Sequence, residues 1–250
     1  MVGDTIIAVN RFKDFLHCLA DFFFPPQCLL CRSFLLSYSD GYFCKDCLGS
    51  FYFNNGHICP RCGILFESKE GRDHLCSRCI GWDSFFDVAR AVGSYEGMLR
   101  KAIHFFKYNN KSILAAPLGK LLSVYGAGML NTEEYELIVP VPLHPLRLRQ
   151  RGFNQSLMLA RKVGRLWDVK VSIGSLKRDR WTTPQTMLSE KERRKNVKGA
   201  FSCRGCEFHG KKVLLIDDVY TSGSTVDECA RVLKKQGASK VDVLTLARTR

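Results

Sequence analysis

Two groups of residues in this 250-residue chain have types and spacings suited to chemistry. The first is cysteine. Ten of the twelve cysteines fall in Cys-x-x-Cys pairs, at Cys28/Cys31, Cys44/Cys47, Cys59/Cys62, Cys76/Cys79 and Cys203/Cys206, leaving Cys18 and Cys229 alone. The first four pairs form an internal repeat, with 12 residues between the first two knuckles and 13 between the next two. Four thiolates hold zinc in a closed tetrahedron with no open position for water or substrate, so two such sites are structural. A segment this small buries too little core to fold alone, and metal binding supplies the missing free energy. Redox dithiols are the alternative use of the spacing. His57 and His74 lie beside knuckles, but eight cysteines already complete two ligand sets. Cys203-x-x-Cys206 lacks a second knuckle and reads as a hairpin loop carrying two thiols.

The second group is Val213-Leu-Leu-Ile-Asp217-Asp218-Val-Tyr220-Thr221-Ser222-Gly223-Ser224-Thr225. An apolar strand delivers two adjacent carboxylates at its C-terminal end, where ligands of parallel sheets bind. The following helix, with Val226, Cys229, Ala230 and Leu233 as its apolar positions, offers unpaired N–H groups and positive partial charge to a phosphate. Thr221, Ser222, Ser224 and Thr225 add hydroxyls, and Gly223 lets backbone approach closely. Asp217 and Asp218 are unsuited to phosphate but accept hydrogen bonds from sugar hydroxyls. A phosphate beside a diol describes a ribose 5-phosphate.

The elements that must position these residues alternate. The pattern predicts strands over 88–95, 137–141, 213–216 and 241–246, and helices over 98–106, from Ser112 to about 125, 155–167 and 225–236. Such alternation implies an α/β fold with a mostly parallel sheet covered on both faces. Ser189 with Glu192 matches a capping box for a helix carrying Arg193, Arg194 and Lys195. Before the cysteines, residues 4–24 read as an amphipathic helix ended by Pro25-Pro26, with Cys18 on its apolar face. The chain therefore divides into an N-terminal helix at 1–27, a double zinc ribbon at 28–84 and an α/β domain at 85–250.

Charge separates these parts. The chain carries +14 overall. Residues 1–84 hold 8 basic and 9 acidic residues, whereas 147–212 alone holds 18 basic and 5 acidic. Polyanions, nucleic acid or phosphorylated metabolites, are the natural partners of such a stretch, and a solvated surface is the bland reading. The near-neutral ribbon suits a structural or protein-docking role. No apolar run approaches the roughly 20 residues that span a bilayer. The N-terminal stretch lacks a signal peptide's apolar core. A soluble, cytoplasmic protein is the expectation.

The segment 213–225 resembles the phosphoribosyl-diphosphate (PRPP) loop of type I phosphoribosyltransferases. The resemblance implies that Asp217 and Asp218 hold ribose hydroxyls, that Thr221, Ser222, Gly223, Ser224 and Thr225 hold the 5-phosphate, and that magnesium accompanies PRPP. Tyr220 departs from a usually aliphatic position. The whole order is similar to the ComF family of competence proteins: the paired knuckles, Tyr95-Glu-Gly97 with Leu99, Lys107-Tyr108, Val139-Pro-Val-Pro142, Arg151-Gly-Phe-Asn-Gln155, Thr182-x-x-Gln185, Leu188, Arg193, Asn196, Ala200-Phe201, then the loop. That family implies single-stranded DNA handling in natural transformation, with a DNA-uptake helicase or other competence proteins as partners. Leu143 and His144 fall in the loop that meets pyrophosphate in related transferases. Arg147, Arg149 and Arg151 flank Phe153, and Lys177, Arg178 and Arg180 flank Trp181 in a segment resembling a hood over the active site. Guanidinium groups pair with phosphates while rings stack on unpaired bases, so these eight residues form a candidate nucleic-acid surface. Phe153 serves equally as core, Trp181 equally as an internal docking contact, and Lys107 either as a cation near the diphosphate or as a solvated helix end. The alternative to a binding module is a working phosphoribosyltransferase with an unidentified nitrogen nucleophile. A PRPP-sensing regulator of duplex DNA is the third reading.

Overall fold

Unbroken Val, Leu and Ile runs require strands buried on both faces. The computed structural model describes residues 25–35, 42–53, 56–67, 71–108, 112–182 and 189–249. The helix expected over 4–24, Cys18, and Gln185 and Leu188 lie outside the described residues. The strands are β1 (Ala89–Ser94), β2 (Leu137–Pro140), β3 (Leu176–Arg178), β4 (Phe201–Cys203), β5 (Lys212–Tyr220) and β6 (Lys240–Arg248). The helices are α1 (Lys45–Gly49), α2 (Ser77–Ile80), α3 (Gly97–Tyr108), α4 (Ala115–Met129), α5 (Pro145–Arg151), α6 (Gln155–Trp167), α7 (Glu190–Val197) and α8 (Ser224–Lys235). Packing divides the chain into two units, 1–50 and 51–250, where the sequence places the boundary after residue 84.

In the second unit β1, β6, β5 and β2 form, in that order, a parallel sheet. This is the parallel sheet with flanking helices that the sequence predicts. Register runs from Leu137 opposite Val213 to Pro140 opposite Ile216, and from Lys212 opposite Lys240 to Tyr220 opposite Arg248. The expected end of the fifth strand at 216 is therefore four residues short. Pairing with β6 carries β5 on past the end of β2, which puts Asp217 and Asp218 inside the strand's last stretch. Helices cover the sheet with stripes at three- and four-residue spacing: Leu99, Ala102, Ile103 and Phe106 in α3, and Val226, Cys229, Ala230 and Leu233 in α8. Helix α6 spans the predicted 155–167, capped by Asn154, whose Oδ1 accepts from the Ser156 and Leu157 amides.

Leu143 and His144 lie in the short connection 141–144 between β2 and α5, and His144 caps that helix through Nδ1, with Pro145 at its first position and Gly152 ending it at φ +77°. Strand β4 pairs antiparallel with β3, so Cys203 lies at the end of that small sheet and not in a hairpin with β5. Residues 112–129 are long and apolar enough by composition to cross a membrane. In the structure Leu118 and Leu122 of this stretch are buried, and a Cβ at Gly126 would meet Leu244 and Trp167, the packing of a core helix.

The cysteines assemble as two four-thiol groups, Cys28/Cys31/Cys44/Cys47 and Cys59/Cys62/Cys76/Cys79, each with all sulfurs within 4.8 Å of one another. Sulfur separations of 3.6 Å (Cys31–Cys44) and 3.7 Å (Cys62–Cys76) match a tetrahedron with Zn–S near 2.3 Å, whose edge is about 3.8 Å. All eight are thiols and not disulfides. The repeat extends to backbone: Arg32 at φ +65° and Gly63 at φ +67° occupy the same knuckle position. His57 contacts Asp73 and His74 stacks on Phe66, outside both groups. Cys203 and Cys206 belong to neither.

The second group is built into the sheet unit. Cys59, Cys62 and Cys79 share a core with Trp82, Phe86 and Tyr220. Arg248 of β6 donates to the Cys62 carbonyl at 2.6 Å, and the Ala89 amide of β1 donates to the Arg61 carbonyl at 2.7 Å. Loss of one ligand there should unsettle the whole unit. In calorimetry of the full chain, Cys79→Ser is expected to lower the main transition by about 10 °C or more, at roughly 2–4 °C per kcal/mol. Cys47→Ser, in the other unit, should leave it within about 2 °C.

Candidate functional site

The C-terminal ends of β2 and β5, helix α5 and the start of α8 enclose an open cleft of about 840 Å³. One wall is the β5–α8 turn. Asp217 Oδ1 accepts from Ser156 Oγ at 2.8 Å and from the Asp218 amide at 2.9 Å. Asp218 Oδ1 pairs with Lys107 Nζ at 2.8 Å, a cation delivered by the last turn of α3. Thr221, Gly223 and Thr225 line the cleft beside them. Gly223 has φ +76°, and a Cβ there would collide with the Tyr220 hydroxyl and come within 3.0 Å of Trp82, so the turn requires glycine.

Ser222 and Ser224 do not face the cleft. Their hydroxyls are buried and bonded to each other at 2.8 Å, because alternate residues of the turn point inward. Tyr220, also buried, stands edge-on to Phe86 and lies 4.3 Å beneath the Arg248 guanidinium.

The cleft is also cationic. Arg147, Arg149, Arg151, Arg178 and Arg193 line it together with Trp181 and Tyr108. Arg147 stacks over Trp181 at 5.3 Å, His144 meets the same ring edge-on at 5.2 Å, and Arg151 lies 5.2 Å over Tyr108. Arg178 is buried against Phe201 and contacts Thr182. Of the eight residues expected to form a nucleic-acid surface, the structure brings Arg147, Arg149, Arg151, Arg178 and Trp181 to this cleft. Lys177 points the other way, as alternation along β3 dictates. Arg180 is occupied by the Asn196 and Lys198 carbonyls at the end of α7, at 3.0 and 2.8 Å. Phe153 packs on buried Phe106 at 5.6 Å and does not line the cleft. Leu143 lines the cleft floor, whereas His144 uses Nδ1 as a helix cap.

Electrostatics mark the first wall. Burial, then the neighbouring Asp218 charge, pushes Asp217 up to about 7. For Lys107, burial works to lower the pKa, but Asp218, with Asp217 and Tyr95, outweighs it and the net shift is upward, so the ammonium stays charged. Burial first and Arg151 second lower Arg147, and burial first and Arg147 second lower Arg178. Both shifts record guanidinium groups crowded against one another, with Asp217 partly offsetting the effect at Arg178. Sequence reasoning left Lys107 open between cation and solvated helix end, and the structure places it on Asp218. It missed Ser156 and Arg193 as lining residues, although both fall inside the ordered motif set or directly beside it.

The double zinc ribbon domain family matches residues 19–80, and the phosphoribosyl transferase domain family matches residues 155–250. The chain is 33% identical over 234 residues to Competence protein F of Haemophilus influenzae, covering 90% of this chain and 98% of that protein. It is 33% identical over 229 residues to the DNA utilization protein YhgH of Escherichia coli K12, with the same coverage of 90% and 98%. It is 27% identical over 241 residues to Competence protein ComFC of Bacillus subtilis, covering 89% and 95%. The two four-cysteine groups of the ribbon are zinc-binding sites in donor type, spacing and geometry.

The raised Asp217 gives a pH signature. A carboxyl titrating near 7 when folded and near 3.9 when unfolded contributes stability fully present below about pH 4 and lost as pH rises through about 7. Asp217→Asn keeps an oxygen for Ser156 and the Asp218 amide but cannot ionise. Thermal melts should show the variant gaining on the wild type by a few °C between pH 5 and pH 8. Equal pH profiles would contradict the assignment.

Proposed function

The chain belongs to the family of Competence protein F and DNA utilization protein YhgH, and from that premise we propose that it handles incoming single-stranded DNA in natural transformation, binding PRPP in the cleft and DNA along its arginine-lined rim. The single observation that carries the reading is the composition of the cleft. A glycine-dependent turn opens α8 beside two carboxylates, and five arginines line the same cleft. The first-turn amides of α8, with Thr221 and Thr225, are suited to a 5-phosphate. Asp217 and Asp218 are suited to the ribose hydroxyls, and Lys107 holds Asp218 in place. The arginine wall exceeds what one phosphate needs, which supports a diphosphate and strand phosphates as further occupants.

Magnesium fits as a companion of the diphosphate. It takes phosphate oxygens and water with one or two carboxylates, the hard donors present here, and would neutralise leaving-group charge. The match to the phosphoribosyl transferase domain favours a second reading, transfer of phosphoribose to a nitrogen nucleophile. In that reading the same carboxylates orient the sugar as positive charge develops at its ring, and Arg147 and Arg178 receive the departing anion.

Calorimetric titration separates the possibilities. PRPP with magnesium should bind the wild type, and Asp218→Ala should weaken it about 10- to 100-fold, the range for hydrogen bonds to a charged group. Oligonucleotide affinity should fall by about 0.7 log units per contacted phosphate for each tenfold rise in salt, and Arg149→Ala should remove about one such contact. Pyrophosphate release with a panel of bases and amines would add enzymatic turnover. Salt-insensitive DNA binding, or PRPP affinity indifferent to Asp218, would overturn the proposal.

A further inference from the structure

The cleft turn is held from outside by the second cysteine group. The carbonyl of Gly223 accepts from the Asp227 amide as the first bond of the α8 ladder, whereas the carbonyl of Ser222 lies one residue before that ladder. A carbonyl so placed needs another donor. Arg78 supplies it: its Nη2 donates to Ser222 O at 2.5 Å across 144 residues of sequence. Arg78 belongs to α2, between Cys76 and Cys79, both members of the second four-thiol group.

Neighbouring contacts converge on the same turn. The Arg78 guanidinium lies 5.4 Å over the Trp82 ring, and Trp82 is the side chain that, with Tyr220, closes the space where a Cβ on Gly223 would go. Trp82 is itself fixed, since Arg61 Nη1 donates to its carbonyl at 2.8 Å and to the Cys79 carbonyl at 3.0 Å. On the other side, Arg194 of α7 lies 4.3 Å over the Trp82 ring. Beneath the turn, Arg248 stacks on Tyr220 and donates to the Cys62 carbonyl. Four arginines thus join knuckle backbone, Trp82, Tyr220 and the loop into one network, while the loop's own serine hydroxyls bond each other.

We propose that Arg78 is a positioning residue for the Thr221–Thr225 loop, through which the Cys59/Cys62/Cys76/Cys79 site sets the geometry of the cleft. The consequence for ligand affinity rests on the reading of the cleft as a PRPP site. The effect on the loop itself does not. Cys76 and Cys79 would hold a zinc ion and so pin the short helix that carries Arg78, and Arg78 fixes the carbonyl that orients the turn.

The test is hydrogen–deuterium exchange on the ligand-free full chain with zinc content measured, followed by PRPP titration. Arg78→Met should raise exchange across Thr221–Thr225 about tenfold or more and weaken PRPP by a similar factor, with zinc retained and the melting transition little moved. Arg78→Lys keeps one donor and should restore part of both. Arg90→Met removes a different ribbon bond, Arg90 Nη1 to the Pro60 carbonyl, and should leave loop exchange at the wild-type rate. Should the methionine variant fail to fold, intermediate loop exchange in Arg78→Lys decides the matter. Wild-type loop exchange in the Arg78 variants, or equal loosening by Arg90→Met, would overturn the proposal. A wild type that ignores PRPP while Arg78→Met loosens the loop would defeat the functional reading alone.

Discussion

At Gly223 the chain passes from β5 into α8 with φ +76°, a conformation available because no Cβ stands between the loop and Tyr220. This one turn decides which groups face the cleft. It brings Thr221 and Thr225 to the opening and sends Ser222 and Ser224 inward, where the Ser224 amide donates to Ser222 Oγ at 3.4 Å. It also sets α8 directly after the two carboxylates, so positive helix terminus and negative side chains are adjacent without neutralising each other. Every functional statement about this protein depends on that juxtaposition.

Keeping two carboxylates together at a buried strand end is costly, and the structure offsets the cost unevenly. Asp218 has a charged partner in Lys107, delivered by the helix that follows β1. Asp217 accepts from Ser156 and the Asp218 amide, but burial and the neighbouring Asp218 charge outweigh these donors and shift it upward. The arginines of the cleft crowd one another: after burial, Arg151 lowers Arg147 and Arg147 lowers Arg178, a repulsion that an anionic ligand relieves.

The zinc ribbon's two halves look alike in sequence, yet they have different structural roles. The first belongs to the 1–50 unit, while the second lends Cys59, Cys62 and Cys79 to the core beneath β1 and β6. Cysteine spacing could not show this, because it reports ligand sets and not what packs against them. What was legible was local: the cysteine repeat, the 155–167 helix, and the strand–acid–glycine–helix run from Val213 to Thr225. What was hidden depends on topology. Ser156 meets Asp217 because β2 and β5 are neighbours, and Arg78 meets Ser222 because the second cysteine group shares a core with the sheet. Charge composition located the cationic stretch but could not sort it. Arg147 and Arg178 enter the cleft, Arg180 caps α7 and Lys177 faces away, and only the pairing of β3 with β4 and the rise of α5 separate them.

The most direct measurement is a crystal structure of the full chain with PRPP and magnesium. The account predicts the 5-phosphate within hydrogen-bonding distance of the first amides of α8 and of Thr221 or Thr225, and ribose hydroxyls on the carboxylates of Asp217 and Asp218. Density for the phosphate among Arg147 and Arg178 with the Gly223 turn bare, or no ligand in the cleft at saturating concentration, would contradict it.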